Sequence, residues 1–176
     1  MKTVKFDGVL IELVTGDIIE QGDCDAIVNA ANAELRIGGG VAGAIHRVGD
    51  PELTELTRPL APIKPGEAVI TAAPNLDNKY IIHCLGPVYG RDKPEKELLK
   101  NCYANALRIA EEEGIESIAF PSISTGAFGY PMKEAANIAF QTVKEMAPSL
   151  NVVSFVRFVL WSPADFNLHW DVLKEF

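Results

Sequence analysis

The sequence predicts a three-layer α/β/α sandwich around a mixed, largely parallel central sheet, and three observations carry that prediction. Several short segments are apolar nearly throughout, among them Ala26-Ile27-Val28 and Ile118-Ala119-Phe120. Strands buried on both faces read this way. Segments with helical periodicity alternate with them along the chain. Two glycine-rich loops each follow a buried strand and open a helix, and open α/β sheets bind ligands at the carboxyl ends of their strands.

Apolar runs rich in β-branched residues place strands at residues 9–14, 26–29, 68–72, 80–84, 117–120 and 152–160. Val41, Ala44, Ile45 and Val48 recur at helical spacing after the first glycine loop. Leu98, Cys102, Ala106 and Ala110 form the stripe of a second helix, with Leu99, Tyr103 and Leu107 beside it and Gly114 ending it. Ala136, Phe140, Val143 and Ala147 mark a third. The last starts with Ser162 as N-cap, Pro163 in the first turn and Asp165 three residues on. Pro59, Pro62 and Pro65 mark a surface connection. No linker or repeat divides the chain, so residues 1–176 are expected to form one domain.

Hydrophobic residues make up 48% and charged residues 23%, as in an ordinary globular protein. Sixteen Lys and Arg against 24 Asp and Glu give a net charge of −8. No basic run appears, which argues against nucleic acid as the main partner. A small anion remains compatible, because oriented N–H groups act locally. Cys24, Cys84 and Cys102 have no disulfide or zinc spacing, and Cys84 and Cys102 read as core thiols of a cytoplasmic protein. His46, His83 and His169 are isolated, so no metal site is expected. His46 falls off its helix's apolar stripe and is expected to face solvent. The first residues, Met1 to Phe6, lack the apolar stretch of a signal peptide. No run approaches the roughly 20 apolar residues that span a bilayer, so no membrane partner is expected.

The first loop reads Asn29-Ala30-Ala31-Asn32 and then Gly38-Gly39-Gly40-Val41-Ala42-Gly43. The second reads Ser122-Ile123-Ser124-Thr125-Gly126-Ala127-Phe128-Gly129-Tyr130-Pro131. Helix starts carry free N–H groups and a positive dipole end, which suit phosphate. Two such loops point to a diphosphate ligand. Gly38, Gly40 and Gly43 match a dinucleotide fingerprint, but its context fails. Eight residues, Ala30 to Ile37, separate the strand from Gly38, and the ribose-binding acid expected about 20 residues later is missing. No Gly-Lys-Ser/Thr follows either loop, so no Walker A motif is present.

With Gly16-Asp17-Ile18, Pro65-Gly66-Glu67 and Tyr80-Ile81-Ile82-His83, these motifs in this order make the chain resemble the macrodomain family, the ADP-ribose-binding modules. The resemblance is to the MacroD-type branch and runs from about Val9 to the last helix. It implies a macrodomain-like fold and a ligand that is ADP-ribose or an ADP-ribosylated protein, with no cofactor and a monomeric state. By this resemblance Asp17 accepts from the adenine amino group, with the Ile18 N–H beside it. Asn32 hydrogen-bonds the distal ribose, while Asn29 ties the loop structurally. Gly39, Gly40 and Val41 lie against that ribose and the first phosphate. Ser124, Thr125, Gly126, Ala127 and Phe128 wrap the diphosphate, and the Phe128 ring packs on the distal ribose. Trp161 is the first choice for stacking on adenine and Phe166 the second; either could instead be core.

The branch resembles hydrolases that remove mono-ADP-ribose from acidic side chains and cleave O-acetyl-ADP-ribose. Asn32, Gly40 and Phe128 are then the residues expected to carry catalysis. The residue after Gly-Gly-Gly-Val is commonly Asp in that branch, positioned to help activate water, and here it is Ala42. Glu34 in the same loop is a possible substitute. The alternative is a module that binds ADP-ribose without cleaving it.

Overall fold

The computed structural model describes all 176 residues, Met1–Phe176. Seven strands form one sheet in the order β1-β2-β7-β6-β3-β5-β4. They are β1 (Lys2–Phe6), β2 (Val9–Thr15), β3 (Ala26–Ala30), β4 (Ala68–Ala72), β5 (Tyr80–Cys84), β6 (Ser117–Phe120) and β7 (Phe155–Leu160). The five inner strands, β2, β7, β6, β3 and β5, run parallel. The edge strands β1 and β4 are antiparallel to their neighbours. The five helices are α1 (Gly40–Gly49), α2 (Glu52–Thr57), α3 (Glu95–Glu113), α4 (Met132–Met146) and α5 (Pro163–Leu173).

Strand alternation distributes side chains to two cores. Ala26, Val28, Ile82, Ile118, Phe120 and Phe158 pack with α3, α4 and α5. Ile27, Ile81, Ala119 and Val159 point the other way and pack with Ile45 of α1 and Leu53 of α2. The fold is therefore the expected α/β/α sandwich, with its sheet buried on both faces.

Four local expectations need correction or completion. Strand β1 was not foreseen, although its turn is readable: Asp7 and Gly8 both take positive φ, 43° and 87°, and Phe6 pairs with Val9, as in a two-residue hairpin. Helix α2 has one turn and a half with few buried residues, so it shows little periodicity. The last strand begins at Phe155 rather than 152, because the Glu111 carboxylate takes the N–H groups of Val152 and Val153 at 2.8 and 2.9 Å. His46 is fully buried rather than solvent-facing. Helix α1 buries Ala42, Ile45, His46 and Gly49, a stripe rotated from the one its larger residues suggest. The His46 Nδ1 meets the Asp50 carboxylate at 3.0 Å.

Candidate functional site

The five parallel strands all end on one side of the molecule. Gly16 N–H donates to Leu160 O at 2.9 Å, which sets the β2 end beside the β7 end. Ala31 N–H donates to Cys84 O at 2.9 Å and does the same for β3 and β5. The two glycine loops leave β3 and β6, which are adjacent in the sheet.

In the first loop, Asn32 clamps the chain that follows it. Its Oδ1 accepts from Arg36 N–H at 3.0 Å, and its Nδ2 donates to Arg36 O at 2.8 Å. One N–H and one lone pair of the amide stay free for a ligand. Leu35 is held inside this clamp with φ 55° and its side chain fully buried. A left-handed leucine costs about 1–2 kcal/mol, so packing and the clamp together must enforce it. Gly38 approaches so closely that a Cβ there would stand 3.0 Å from Asn32 Nδ2. Gly39 caps α1 with no side-chain bond to the helix's first N–H groups. Gly40 follows with φ 55°, and a Cβ on either residue would face open space. Val41 is half-buried and Ala42 is buried, so no carboxylate occupies that helix start. Glu34 is exposed.

In the second loop, Ser124 takes φ 68°. Its carbonyl accepts from Tyr130 N–H at 2.9 Å, and Gly129 N–H reaches Gly126 O at 3.0 Å, closing the loop on itself. The Thr125 hydroxyl donates to Ser122 O at 2.9 Å. The N–H groups of Ser124, Gly126, Ala127 and Phe128 have no acceptor within the chain. Such a cluster of free amides is an anion-binding concavity. The Ser124 Oγ is buried with no partner.

Phe128 joins the two loops. Its ring is half-buried against the cluster of Ala31, Leu35, Ile63 and Leu85, with Ala33 alongside. Asn32 and the free amides therefore follow the same ends of two adjacent parallel strands, β3 and β6. Gly86, just past β5, lies tight against the second loop, because a Cβ there would collide with Ser124 Oγ and Ile123. Gly86 was not foreseen, although Gly86-Pro87 after a buried strand was a usable signal. Asn29 lies below, fully buried, with its Nδ2 3.1 Å from His83 Nδ1. It ties β3 to β5 through this side-chain bond.

Just past the end of β2, Asp17 caps a short turn at Ile18–Glu20, its Oδ1 accepting from Ile19 N–H at 3.2 Å. Ile18 is buried. Trp161 follows β7 at 78% exposure, so it is not core. Phe166 packs onto the main core instead. Two candidates for other chemistry fall away on geometry. A groove of about 1770 Å³ lies along α4 and α5 and meets the second loop only at Tyr130, so it stands apart from Asn32 and the free amides. The three cysteines are buried, and burial pushes the Cys24 thiol up to about 11 and Cys102 up to about 12, so neither supplies a thiolate near neutrality.

A profile described as Macro domain matches residues 28–139. The chain belongs to the macro domain family. Macro domain-containing proteins of Caldanaerobacter subterraneus subsp. tengcongensis and Chlorobaculum tepidum are among its relatives. The first is 42% identical over 170 residues, covering 94% of this chain and 96% of the relative. The second is 45% identical over 168 residues, covering 95% and 97%. A solved Oceanobacillus iheyensis macrodomain with ADP superposes with a TM-score of 0.92 at 39% identity, covering 99% of this chain and 95% of that one. A Trypanosoma brucei macrodomain in complex with ADP-ribose gives 0.86 at 32% identity, covering 95% and 71%. The macro domain match begins within β3 and spans both glycine loops and β6. No helix of the chain is long and apolar enough to cross a membrane.

Proposed function

We propose that this macro domain binds ADP-ribose across its strand ends and hydrolyses ADP-ribosyl esters, as MacroD-type macrodomains do. The observation that carries this reading is the set of four unpaired amides in the second loop, whose Phe128 packs on the Ala31 and Leu35 cluster on either side of Asn32. Macrodomains of the same fold have been solved with ADP and with ADP-ribose. In this reading Asp17 and Ile18 take the adenine edge and Trp161 covers its face. Ser124, Thr125, Gly126, Ala127 and Phe128, with the α1 start at Gly39, Gly40 and Val41, hold the diphosphate. Asn32 and the Phe128 ring hold the distal ribose. The four strands from β2 to β3 span about 14 Å at normal sheet spacing, which suits an elongated ligand. The three buried, unpaired cysteines favour a reducing, cytoplasmic setting. The absence of a basic run disfavours nucleic acid.

The substrates are mono-ADP-ribosyl esters of protein Asp or Glu, and O-acetyl-ADP-ribose. Water adds across the ester and releases ADP-ribose and the carboxylic acid. Ala42 supplies no base, so water is held by the bound phosphate and Gly40 leaves it room. Positioning and charge placement then carry the rate. A second reading, a binder without turnover, is favoured by one observation: a buried methyl stands at residue 42. The deciding experiment pairs ADP-ribose calorimetry with release of ADP-ribose from a mono-ADP-ribosylated glutamate carrier. Turnover above an Asn32→Ala control supports the hydrolase. Tight binding with no release above that control leaves the binder. Absence of ADP-ribose binding removes both.

A further inference from the structure

The chain has six arginines. Arg58, Arg91, Arg108 and Arg157 each pair with a carboxylate. Arg36 and Arg47 pair with none, and both flank the first glycine loop. Arg36 is exposed, and its backbone is the group clamped by Asn32. Arg47 folds back along α1, its Nη1 3.0 Å from where a Gly43 Cβ would stand, beside the Gly38 carbonyl. Ile37 lies between Arg36 and Gly38 and is 54% exposed, among the few large apolar side chains so placed. Glu34, the carboxylate within this loop, is exposed and forms no ion pair with either arginine. Residues 34–47 hold two arginines and one glutamate, a local charge of +1 in a protein of net charge −8, so this segment attracts anionic groups that the protein as a whole repels.

We propose that Arg36, Ile37 and Arg47 form a docking patch for the polypeptide that carries the ADP-ribosyl group. The patch selects acidic sequence around the modified residue. This rests on the ADP-ribose reading above, because the distal ribose assigned to Asn32 is the point from which the attached chain leaves the cleft. Guanidinium forks suit carboxylates in two-toothed pairing, and Ile37 supplies apolar contact between them.

The test measures binding, so it does not depend on turnover. Three probes are titrated by calorimetry: free ADP-ribose, a peptide carrying ADP-ribose through a hydrolysis-resistant amide with flanking glutamates, and the same peptide with flanking glutamines. The acidic peptide is expected to bind about five- to tenfold more tightly than the other two at low salt, the range that two exposed ion pairs provide. In about 1 M salt, which screens charges beyond about 3 Å, the gap closes. In the Arg36→Gln/Arg47→Gln double variant the gap also closes while free ADP-ribose binds as before. Equal binding of the two peptides to the wild type overturns the patch. So does a double variant that loses free ADP-ribose to the same degree, since the arginines would then serve the diphosphate. If free ADP-ribose fails to bind the wild type, the ligand reading and the patch fall together.

Discussion

Replacing His83 with glutamine should flatten the acid side of the stability profile. His83 is fully buried beneath the cleft, between Asn29 and Thr71. The Thr71 hydroxyl donates to Ala72 O at 2.8 Å, so its oxygen is free to accept from His83 Nε2–H at 3.0 Å. His83 Nδ1 then accepts from the Asn29 amide at 3.1 Å. Both ring nitrogens are satisfied only in the neutral form. Burial, with His46 nearby as a lesser cause, lowers the His83 pKa to about 3. In the unfolded chain it returns to about 6.5. The unfolded state therefore binds the extra proton, so this contribution is fully present above pH 6.5 and is lost as pH falls from there toward 3. Each pH unit in that window costs about 1.4 kcal/mol, so pH 5 removes about 2 kcal/mol. Urea unfolding at pH 7, 6 and 5 reads the difference. The wild type should lose about 2 kcal/mol more than His83→Gln between pH 7 and pH 5, whatever the variant's absolute stability. Parallel pH profiles would refute the buried neutral imidazole.

Gly40→Glu should abolish ADP-ribose binding in calorimetry while circular dichroism stays native, because a Cβ there meets open space and on the proposed reading that space is the ligand's; its φ of 55° adds a strain of about 1 kcal/mol. Gly86→Ala should cost about 1–3 kcal/mol of stability through overpacking against Ser124 and Ile123. It should also weaken ADP-ribose, since the second loop must shift; unchanged affinity would separate Gly86 from the site. Asp17→Ala should lose about 1–3 kcal/mol for ADP-ribose but little for the hypoxanthine analogue. Equal losses for the two ligands would reduce Asp17 to its role as a turn cap.

The parts of the fold legible in the sequence are those with local causes. Ala26-Ile27-Val28 and Ile118-Ala119-Phe120 are apolar because both faces of the sheet are covered, and they lie at the centre of the sheet. Ser162 caps α5 by accepting from Asp165 N–H at 3.1 Å, as its spacing implies. His46 misled because polarity on one helix says nothing of a partner one turn on, and Asp50 makes its burial tolerable. Phe128 was legible as a loop aromatic. Its packing on the cluster that holds Leu35 was not, since that packing depends on β3 and β6 being neighbours. The four free amides of the second loop have no side-chain signature beyond glycine and small residues. They become visible only when every intramolecular acceptor is accounted for.

On the proposed reading, binding and catalysis are encoded differently. The diphosphate would be held by backbone: the unpaired amides of Ser124, Gly126, Ala127 and Phe128, and the uncapped start of α1. Positive φ at Leu35, Gly40 and Ser124 fixes their direction, so most side-chain changes on the loops leave the array in place. On the same reading, catalytic help would hang on what stands at residue 42, the third position of α1. An aspartate there would favour the helix dipole and could add general-base assistance, typically about 10²–10⁴-fold. It would also place a negative charge beside the bound diphosphate. Alanine removes that repulsion together with the base. Ala42→Asp should therefore speed ester release and weaken ADP-ribose at once. If instead both rise or both fall, residue 42 does not sit between the water and the phosphate, and the mechanism drawn from Gly40 and Asn32 loses its geometry.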